Sequence, residues 1–210
     1  MTDLLPDLLI ESGPTDPRAR PLVEDLIREY DSRYGTLFDR DGAKTEVYRY
    51  PPEAFAPPEG NFLLLLRNGE AIAGGAFMRH ADPGAAEFKR IWTRRDLRRQ
   101  GLARRIVRAL EEQAAAQGYT RVYLTTGFRQ PEAAGLYLTD GYRPLFEPDL
   151  DPAFYKTLPF EKHIGVEAGK PGSAPLKAPD PDLPAQLGVT VSPEALAALR
   201  ARSRLEVQAR

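Results

Sequence analysis

The architecture of this chain can be worked out from one segment, Glu87–Ala103, which reads EFKRIWTRRDLRRQGLA. The segment predicts a strand, then a tight turn containing arginines and a glycine, then the start of a helix that runs to Gly118. The first N–H groups of a helix have no partner within it, and the helix dipole places partial positive charge there. The segment therefore predicts a position at which a phosphate group binds.

The composition sets limits on the class of protein. The 210 residues are enough for one domain of ordinary size with some excess, and 42% hydrophobic with 28% charged residues is typical of a soluble globular protein. A net charge of −1 gives no overall attraction to nucleic acid or anionic lipid. Because the chain has no cysteine, disulfides, thiol catalysis and thiolate metal sites are excluded.

The chain offers no signal for a membrane. Its start, Met1-Thr2-Asp3, is acidic and lacks the basic and apolar regions of a signal peptide. The longest uninterrupted apolar run, Phe62–Leu66, is far too short to span a bilayer. These features predict a cytoplasmic protein with no membrane partner.

Before the opening segment, the pattern predicts one strand, one helix and a hairpin. Leu8–Ile10 is a short apolar run typical of a strand, and a helix is predicted from Pro21 to its C-terminal glycine, Gly35. One stripe of that helix carries Leu22, Leu26, Tyr30 and Tyr34. Residues 36–60 are rich in proline and predict an irregular connection.

A meander of three strands is predicted next. Phe62–Arg67 and Ala71–Met78 are joined by Asn68-Gly69, which suits a two-residue hairpin turn. Ala86–Thr93 follows as the third strand.

After the turn, the helix over Gly101–Gln117 and the strand Arg121–Thr125 make a parallel crossover unit with the strand before them. A helix over Pro131–Leu138 and a closing strand over Phe154–Leu158 complete the pattern. Together these elements predict an α+β fold in which helices flank one central mixed sheet in three layers.

Three regions of the chain differ in composition. We expect one domain over residues 1–163, a proline- and glycine-rich linker over 164–190, and a C-terminal helix over 191–210. That helix begins with Ser192 as its N-cap and Pro193 in its first position. Its leucines favour docking on the main domain or contact with a second copy in a homodimer, and the alternative is a helix that frays in solution.

Two motifs carry a family resemblance. Arg98–Ala103 matches the pattern Gln or Arg, two variable residues, Gly, one variable residue, then Gly or Ala. Ala133–Tyr137 with Gly141-Tyr142 matches a second motif at the expected distance. On these motifs, Glu87–Tyr142 resembles the GCN5-related N-acetyltransferase (GNAT) family. The resemblance implies that family's acyl-CoA N-acyltransferase fold over about residues 6–160, followed by a C-terminal extension.

The resemblance also implies acetyl-CoA as co-substrate. Its pyrophosphate would lie on the backbone N–H groups of Arg99–Ala103, and its pantetheine arm along Ile91–Thr93. The implied cofactor-binding residues are Ile91, Trp92, Thr93, Arg98, Arg99, Gln100, Gly101, Leu102, Ala103, Gln130 and Tyr137. The sequence departs from many members at Arg95, which is often proline, at Arg99, often glycine, and at Thr125, often acidic.

Two residues are implied in catalysis. By resemblance, the hydroxyl of Tyr137 protonates the leaving thiolate or donates a hydrogen bond to it, and Glu87 takes the proton of the acceptor amine directly or through water. The alternative for Glu87 is structural, as an ion pair with Lys89 or Arg121. Tyr34 is either a residue of the helix stripe or, by resemblance, part of the acceptor pocket.

The predicted function is direct transfer of an acetyl group to the amine of a small molecule. The alternatives are a non-catalytic acyl-CoA-binding or regulatory module, and a protein or peptide N-acetyltransferase. The many arginines near the turn are explained by the phosphates of one CoA, so no nucleic acid partner is expected. His80 and His163 are isolated in the sequence, so we expect no metal.

Overall fold

The computed structural model describes residues 6–208, with side chains as far as residue 202. The strands are β1 Leu8–Glu11, β2 Asn61–Arg67, β3 Glu70–Arg79, β4 Ala85–Thr93, β5 Arg121–Gly127, β6 Arg143–Pro144 and β7 Thr157–His163. The helices are α1 Arg20–Tyr34, α2 Ala43–Tyr48, α3 Leu102–Ala116, α4 Pro131–Thr139, α5 Leu183–Gln186 and α6 Pro193–Gln208. Short 3₁₀ turns lie at Pro17–Ala19, Pro52–Phe55, Arg95–Leu97, Pro152–Phe154 and Gly165–Glu167.

The strands form one mixed sheet in the order β1-β2-β3-β4-β5-β7-β6. The first four strands pair antiparallel in sequence order, and β4 pairs with β5 in parallel. This confirms the predicted fold class, a central mixed sheet flanked by helices. The chain divides into two compact units, Met1–Leu124 with Lys162–Pro171 and Thr125–Glu161 with Gly172–Arg210.

In the first unit, helices approach both faces of β3 at two consecutive glycines. A Cβ atom on Gly74 would lie 2.6 Å from Cδ1 of Leu22 in α1. A Cβ on Gly75 would lie 2.9 Å from Cγ2 of Ile106 and 3.0 Å from Cδ1 of Leu110, both in α3. Successive residues of a strand face opposite sides of the sheet. The two glycines therefore give α1 and α3 room to pack closely from opposite faces.

The core stripe predicted for α1 is confirmed, and α3 buries a stripe of its own. In α1, Leu22, Leu26 and Tyr34 are buried, and Tyr30 is partly buried against the same apolar cluster. In α3 the buried positions are Leu102, Ile106, Val107, Ala109, Leu110 and Ala114. The hairpin prediction is confirmed too, since Asn68 and Gly69 have φ angles of 51° and 83°.

The structure corrects two of the predicted elements. The segment 36–60 is not wholly irregular, because α2 and the 3₁₀ turn Pro52–Phe55 lie within it. The N-terminus of α2 is held by Asp31, whose Oδ1 accepts a hydrogen bond from the N–H of Ala43 at 2.9 Å. The closing strand is β7 rather than Phe154–Leu158. Lys156 adopts φ of 58°, which interrupts extended backbone just before β7 begins.

The second unit contains α4, most of β7, and the segment after residue 171. The short strand β6 pairs antiparallel with β7. Lys177 donates hydrogen bonds from Nζ to the carbonyl oxygen of Tyr155 and, at 3.0 and 2.9 Å, to the carbonyl oxygen and Oγ1 of Thr157. In α6, Leu199 is buried and Arg202 pairs with Glu147. The assignment of 164–190 as a linker stays a prediction.

Candidate functional site

The turn between β4 and α3 has the backbone geometry of an anion site. Arg99 and Gly101 both have positive φ, 63° and 77°. The first backbone bond of α3 runs from the N–H of Arg105 to the carbonyl oxygen of Gly101 at 3.0 Å. The N–H groups of Leu102 and Ala103 therefore have no acceptor within the helix. A Cβ on Gly101 would meet no heavy atom within 4 Å, so the surface there is open.

The charges around this turn fit an anionic ligand. No acidic residue lies in the first turn of α3. Arg99 and Gln100 are exposed beside the open surface of Gly101. Arg98 does not join them, because its guanidinium pairs with Glu29 of α1, which also binds Arg33 at 2.9 Å. Whether the side chain of Arg98 also contacts a phosphate stays a prediction.

β4 carries a bulge just before the turn. Gly74 of β3 is opposite Trp92, but Ala76 is opposite Lys89, so β4 has one extra residue between these pairs. Arg90 lies in this interval with φ of 60°, unusual for a residue other than glycine. The parallel pairs with β5 run from Ala85 to Phe88, and β4 continues for five more residues to Thr93.

The side chains of the three residues predicted to lie along the pantetheine arm have different surroundings. The Cδ1 of Ile91 lies on the side of Gly75 and α3. The indole of Trp92 is 3% exposed, packs in the core with α1, and donates from Nε1 to Oδ2 of Asp25 at 3.2 Å. The Oγ1 of Thr93 is buried without a hydrogen-bond partner in the part of the chain that the structure describes.

Glu87, the predicted base, forms an ion pair. Its Oε1 lies 2.7 Å from Nζ of Lys89, and the two side chains are 14% and 19% exposed. Arg121, the other partner expected for Glu87, pairs with Asp82. Burial, with the negative charges of Glu87 and Asp82, raises the pKa of Tyr123. Glu87 is therefore held by Lys89 and is close enough to influence Tyr123.

Tyr137 and Gln130 belong to the second unit. Tyr137 lies in α4 and is 6% exposed. The centroid of its ring lies 5.6 Å from that of Tyr142 and 5.5 Å from that of Phe160. The Oε1 of Gln130 accepts hydrogen bonds from the N–H of Gly127 at 3.1 Å and from Oγ1 of Thr126 at 3.2 Å. This amide oxygen therefore closes the turn that leads into α4.

One residue near the predicted site was not recognised from the sequence. The guanidinium of Arg90 donates from Nη2 to the carbonyl oxygen of Val47 and lies 4.2 Å from the ring centroid of Phe55. Burial lowers the pKa of Arg90. Burial also raises the pKa of the nearby Tyr30, and the charge of Glu46 adds to that increase. No local pattern in the sequence indicates the bulge that separates Arg90 from the arginines of the turn.

The described residues contain neither a metal-binding cluster nor a membrane-spanning helix. No cluster of three or more His, Asp or Glu side chains suited to a metal ion lies within residues 6–202. No helix within residues 6–208 has the length and apolar character to cross a membrane.

The chain matches a family model over most of its first two thirds. Residues 21–142, more than half of the chain, match the model of the acetyltransferase (GNAT) family. Among individual proteins, an IAA acetyltransferase from Azospirillum brasilense is 28% identical over 131 residues, which is 61% of this chain and 83% of that protein. An uncharacterized N-acetyltransferase from Escherichia coli strain K12 is 25% identical over 124 residues, 56% of this chain and 72% of that protein.

Solved structures share the fold at lower identity. An acetyltransferase of the GNAT family from Staphylococcus aureus is 16% identical with a TM-score of 0.58, covering 75% of this chain and 99% of that one. The PaiA N-acetyltransferase from Thermoplasma acidophilum, solved in complex with coenzyme A, is 12% identical with a TM-score of 0.56. The match covers 76% of this chain and 99% of that one. At these identities the likeness concerns the fold alone.

Proposed function

Because this chain belongs to the GNAT acetyltransferase family, with residues 21–142 matching its model, we propose that it transfers an acetyl group from acetyl-CoA to a small-molecule amine. The observation that supports this most is the turn before α3. It combines positive φ at Arg99 and Gly101, helix N–H groups without an acceptor in the helix, and an open surface. That combination suits the pyrophosphate of an acyl-CoA.

The residues that would hold the cofactor follow from this geometry. The N–H groups of Leu102 and Ala103 would bind the pyrophosphate, and the exposed Arg99 would add charge. The main chain of β4 from Lys89 to Thr93 continues beyond the last registered pair with β5, so it is the part of the strand proposed for the pantetheine amides. Acetyl-CoA supplies an acetyl group activated as a thioester.

The acceptor amine must lose a proton before it attacks. We assign this proton to the carboxylate of Glu87, reached directly or through one water. Lys89, at 2.7 Å, fixes the position of the carboxylate on β4. A small acceptor is supported by likeness to the A. brasilense protein, which is named for acetylation of IAA.

The second proton transfer is assigned to Tyr137. Its hydroxyl would give a proton to the leaving sulfur, and the rings of Tyr142 and Phe160 pack beside its own ring and limit its motion. On the way from ammonium to amide the nitrogen loses two protons, one to Glu87 before attack and one after attack, and the second restores the proton that Tyr137 gives to the sulfur. The products are an amide, a free thiol and the proton that Glu87 releases to solvent.

Thiol release from acetyl-CoA with a panel of small amines tests the proposal. Tyr137→Phe should lower kcat by about 100-fold or more, since general acid–base groups contribute factors of that size. The matched control is Tyr142→Phe, which alters a tyrosine equally deep in the same aromatic cluster and should change kcat only a few-fold.

Three other outcomes would change either the role proposed for Tyr137 or the proposed function. Equal rates for the two variants would contradict the role of Tyr137. Binding of CoA without thiol release for any amine would support a non-catalytic acyl-CoA-binding module. Turnover with peptide N-termini or lysine peptides alone would support a protein N-acetyltransferase.

A further inference from the structure

The side of β4 that carries Glu87 also carries two cations. Lys89 pairs with Glu87 and lies 5.2 Å from the ring centroid of Tyr50. Arg90, the next residue, contacts Val47 and Phe55. In a regular strand, consecutive side chains would face opposite ways, but the bulge at Arg90 turns both toward the segment 47–55.

The charges near this surface are paired, with Arg90 as the exception. Glu87 binds Lys89, Arg98 binds Glu29, and Arg121 binds Asp82. Arg90 makes no direct ion pair with a carboxylate in residues 6–202, and Glu46, which pairs with Arg49, acts on it from a longer distance. Its polar contact is the neutral carbonyl oxygen of Val47.

A partly buried cation without a counter-ion is unfavourable unless another group supplies the charge. A guanidinium has five N–H donors in a planar fork that matches a carboxylate with two parallel bonds. In Arg90 one nitrogen donates to Val47 and the group lies over the ring of Phe55, which fixes its orientation. The N–H groups on its other nitrogen atoms remain available to bind a ligand. The bulge that places Arg90 here is a strained backbone of the kind often found beside active sites.

We propose that Arg90 binds a carboxylate of the acceptor, so that the acceptor is an amine that also carries a carboxylate, such as a free amino acid or short peptide. This rests on the proposed function, in which Glu87 meets the amine. Arg90 is three positions after Glu87 on β4, or about 10 Å along the backbone. Because both side chains are flexible, acceptors with different distances between amine and carboxylate belong in the test.

The test compares acceptors that differ only in the carboxylate. Phenylalanine, 4-aminobutyrate and alanylalanine are each assayed beside the corresponding carboxamide, with thiol release from acetyl-CoA giving kcat/KM. The wild-type protein should prefer the acid over the amide about tenfold or more in at least one pair, the size expected for a hydrogen-bonded charge pair.

The variants identify the residue responsible. Arg90→Gln should remove the preference by lowering kcat/KM for the acid about tenfold or more, while the amide changes less than threefold. Arg90→Lys keeps the charge without the fork and should restore part of the preference. The matched control is Arg79→Gln, which alters an exposed arginine of β3 already paired with Glu59 and should keep the wild-type ratio.

The ratio of acid to amide is measured within one variant, so a loss of folded protein cannot mimic the effect. Equal kcat/KM for acid and amide in the wild type, with turnover present, would overturn this inference and leave the proposed function standing. A preference that survives Arg90→Gln would also overturn it. No thiol release by the wild type with any amine would instead remove the proposed function on which it rests.

Discussion

Gly101 combines two properties at one residue: it adopts φ of 77°, and its missing side chain leaves open space in front of the helix. Replacing it with alanine strains the backbone by about 1–2 kcal/mol. The added methyl group also lies where a pyrophosphate has to approach the N–H groups of Leu102 and Ala103.

We predict that Gly101→Ala weakens CoA binding about tenfold or more. The control is Gly118→Ala, at the other end of α3, which also has positive φ, 90°, and no heavy atom near its Cβ position. Urea unfolding should show a similar loss of stability in both variants. Calorimetry should show weaker CoA binding only for Gly101→Ala. Equal affinities would argue against pyrophosphate binding at this turn.

At the scale of an element, the entry into α1 depends on Asp16. Its carboxylate accepts hydrogen bonds from the N–H of Arg18 at 2.8 Å and from Oγ of Ser12 at 2.9 Å, and it caps the 3₁₀ turn that leads into the helix. The Arg18 guanidinium and these bonds hold the pKa of Asp16 far below its usual range.

A carboxyl group with a lowered pKa in the folded state stabilises the fold when it is ionised. For Asp16 this contribution is complete above about pH 4 and is lost as the pH falls below that value. We predict that Asp16→Ala lowers the unfolding free energy at pH 7 by about 1 kcal/mol. Between pH 4 and pH 2 its stability should fall less steeply than that of the wild type.

Urea unfolding at several pH values checks this. Asp41→Ala, which changes an exposed aspartate in the same unit, serves as control and should follow the wild-type curve. If the unfolding free energy of Asp16→Ala falls with pH as steeply as that of the wild type, Asp16 does not carry this pH dependence.

Elements that depend on local chemistry could be predicted from the sequence, and those that depend on distant partners could not. The hairpin at Asn68-Gly69 and the end of α1 at Gly35 are encoded by adjacent residues with positive φ. The helix α2 is capped by Asp31, twelve residues earlier, and no neighbouring residue indicates it.

The same distinction applies to the candidate site. The turn of Arg98–Ala103 was recognised because its motif is contiguous in sequence. The direction of the Arg98 side chain was not, because its partner Glu29 lies 69 residues away. The bulge at Arg90 arises from pairing with β3, and the sequence of β4 alone does not encode it.

For the molecule as a whole, one lysine makes several of the hydrogen bonds that hold the segment after residue 171 to the rest of the second unit. Lys177 donates from Nζ to three oxygens of Tyr155 and Thr157, and its own N–H donates to the carbonyl oxygen of Leu145 at 2.7 Å. We predict that Lys177→Ala lowers the unfolding free energy by about 1–3 kcal/mol, since it leaves partly buried oxygens without a donor.

The measurement is urea unfolding together with limited proteolysis of residues 172–190. Lys170→Ala removes an exposed lysine paired with Glu167 and should change neither result. Matching cleavage rates for the two variants would mean that Lys177 does not anchor the segment. The division of the chain into a domain over 1–163, a linker and a terminal helix stays a prediction.

The adjacent glycines of β3 have a geometric effect on the layered structure of the first unit. At Gly74 and Gly75, β3 itself contributes no side chain, and the space is filled from neighbouring elements, by Leu22 and Leu64 beside Gly74 and by Ile91 and Ile106 beside Gly75. A methyl group added at Gly74 would also lie 2.8 Å from the carbonyl oxygen of Leu63, a backbone atom of β2. Because backbone cannot rotate aside as a side chain can, an alanine at Gly74 would press on β2 as well as on α1.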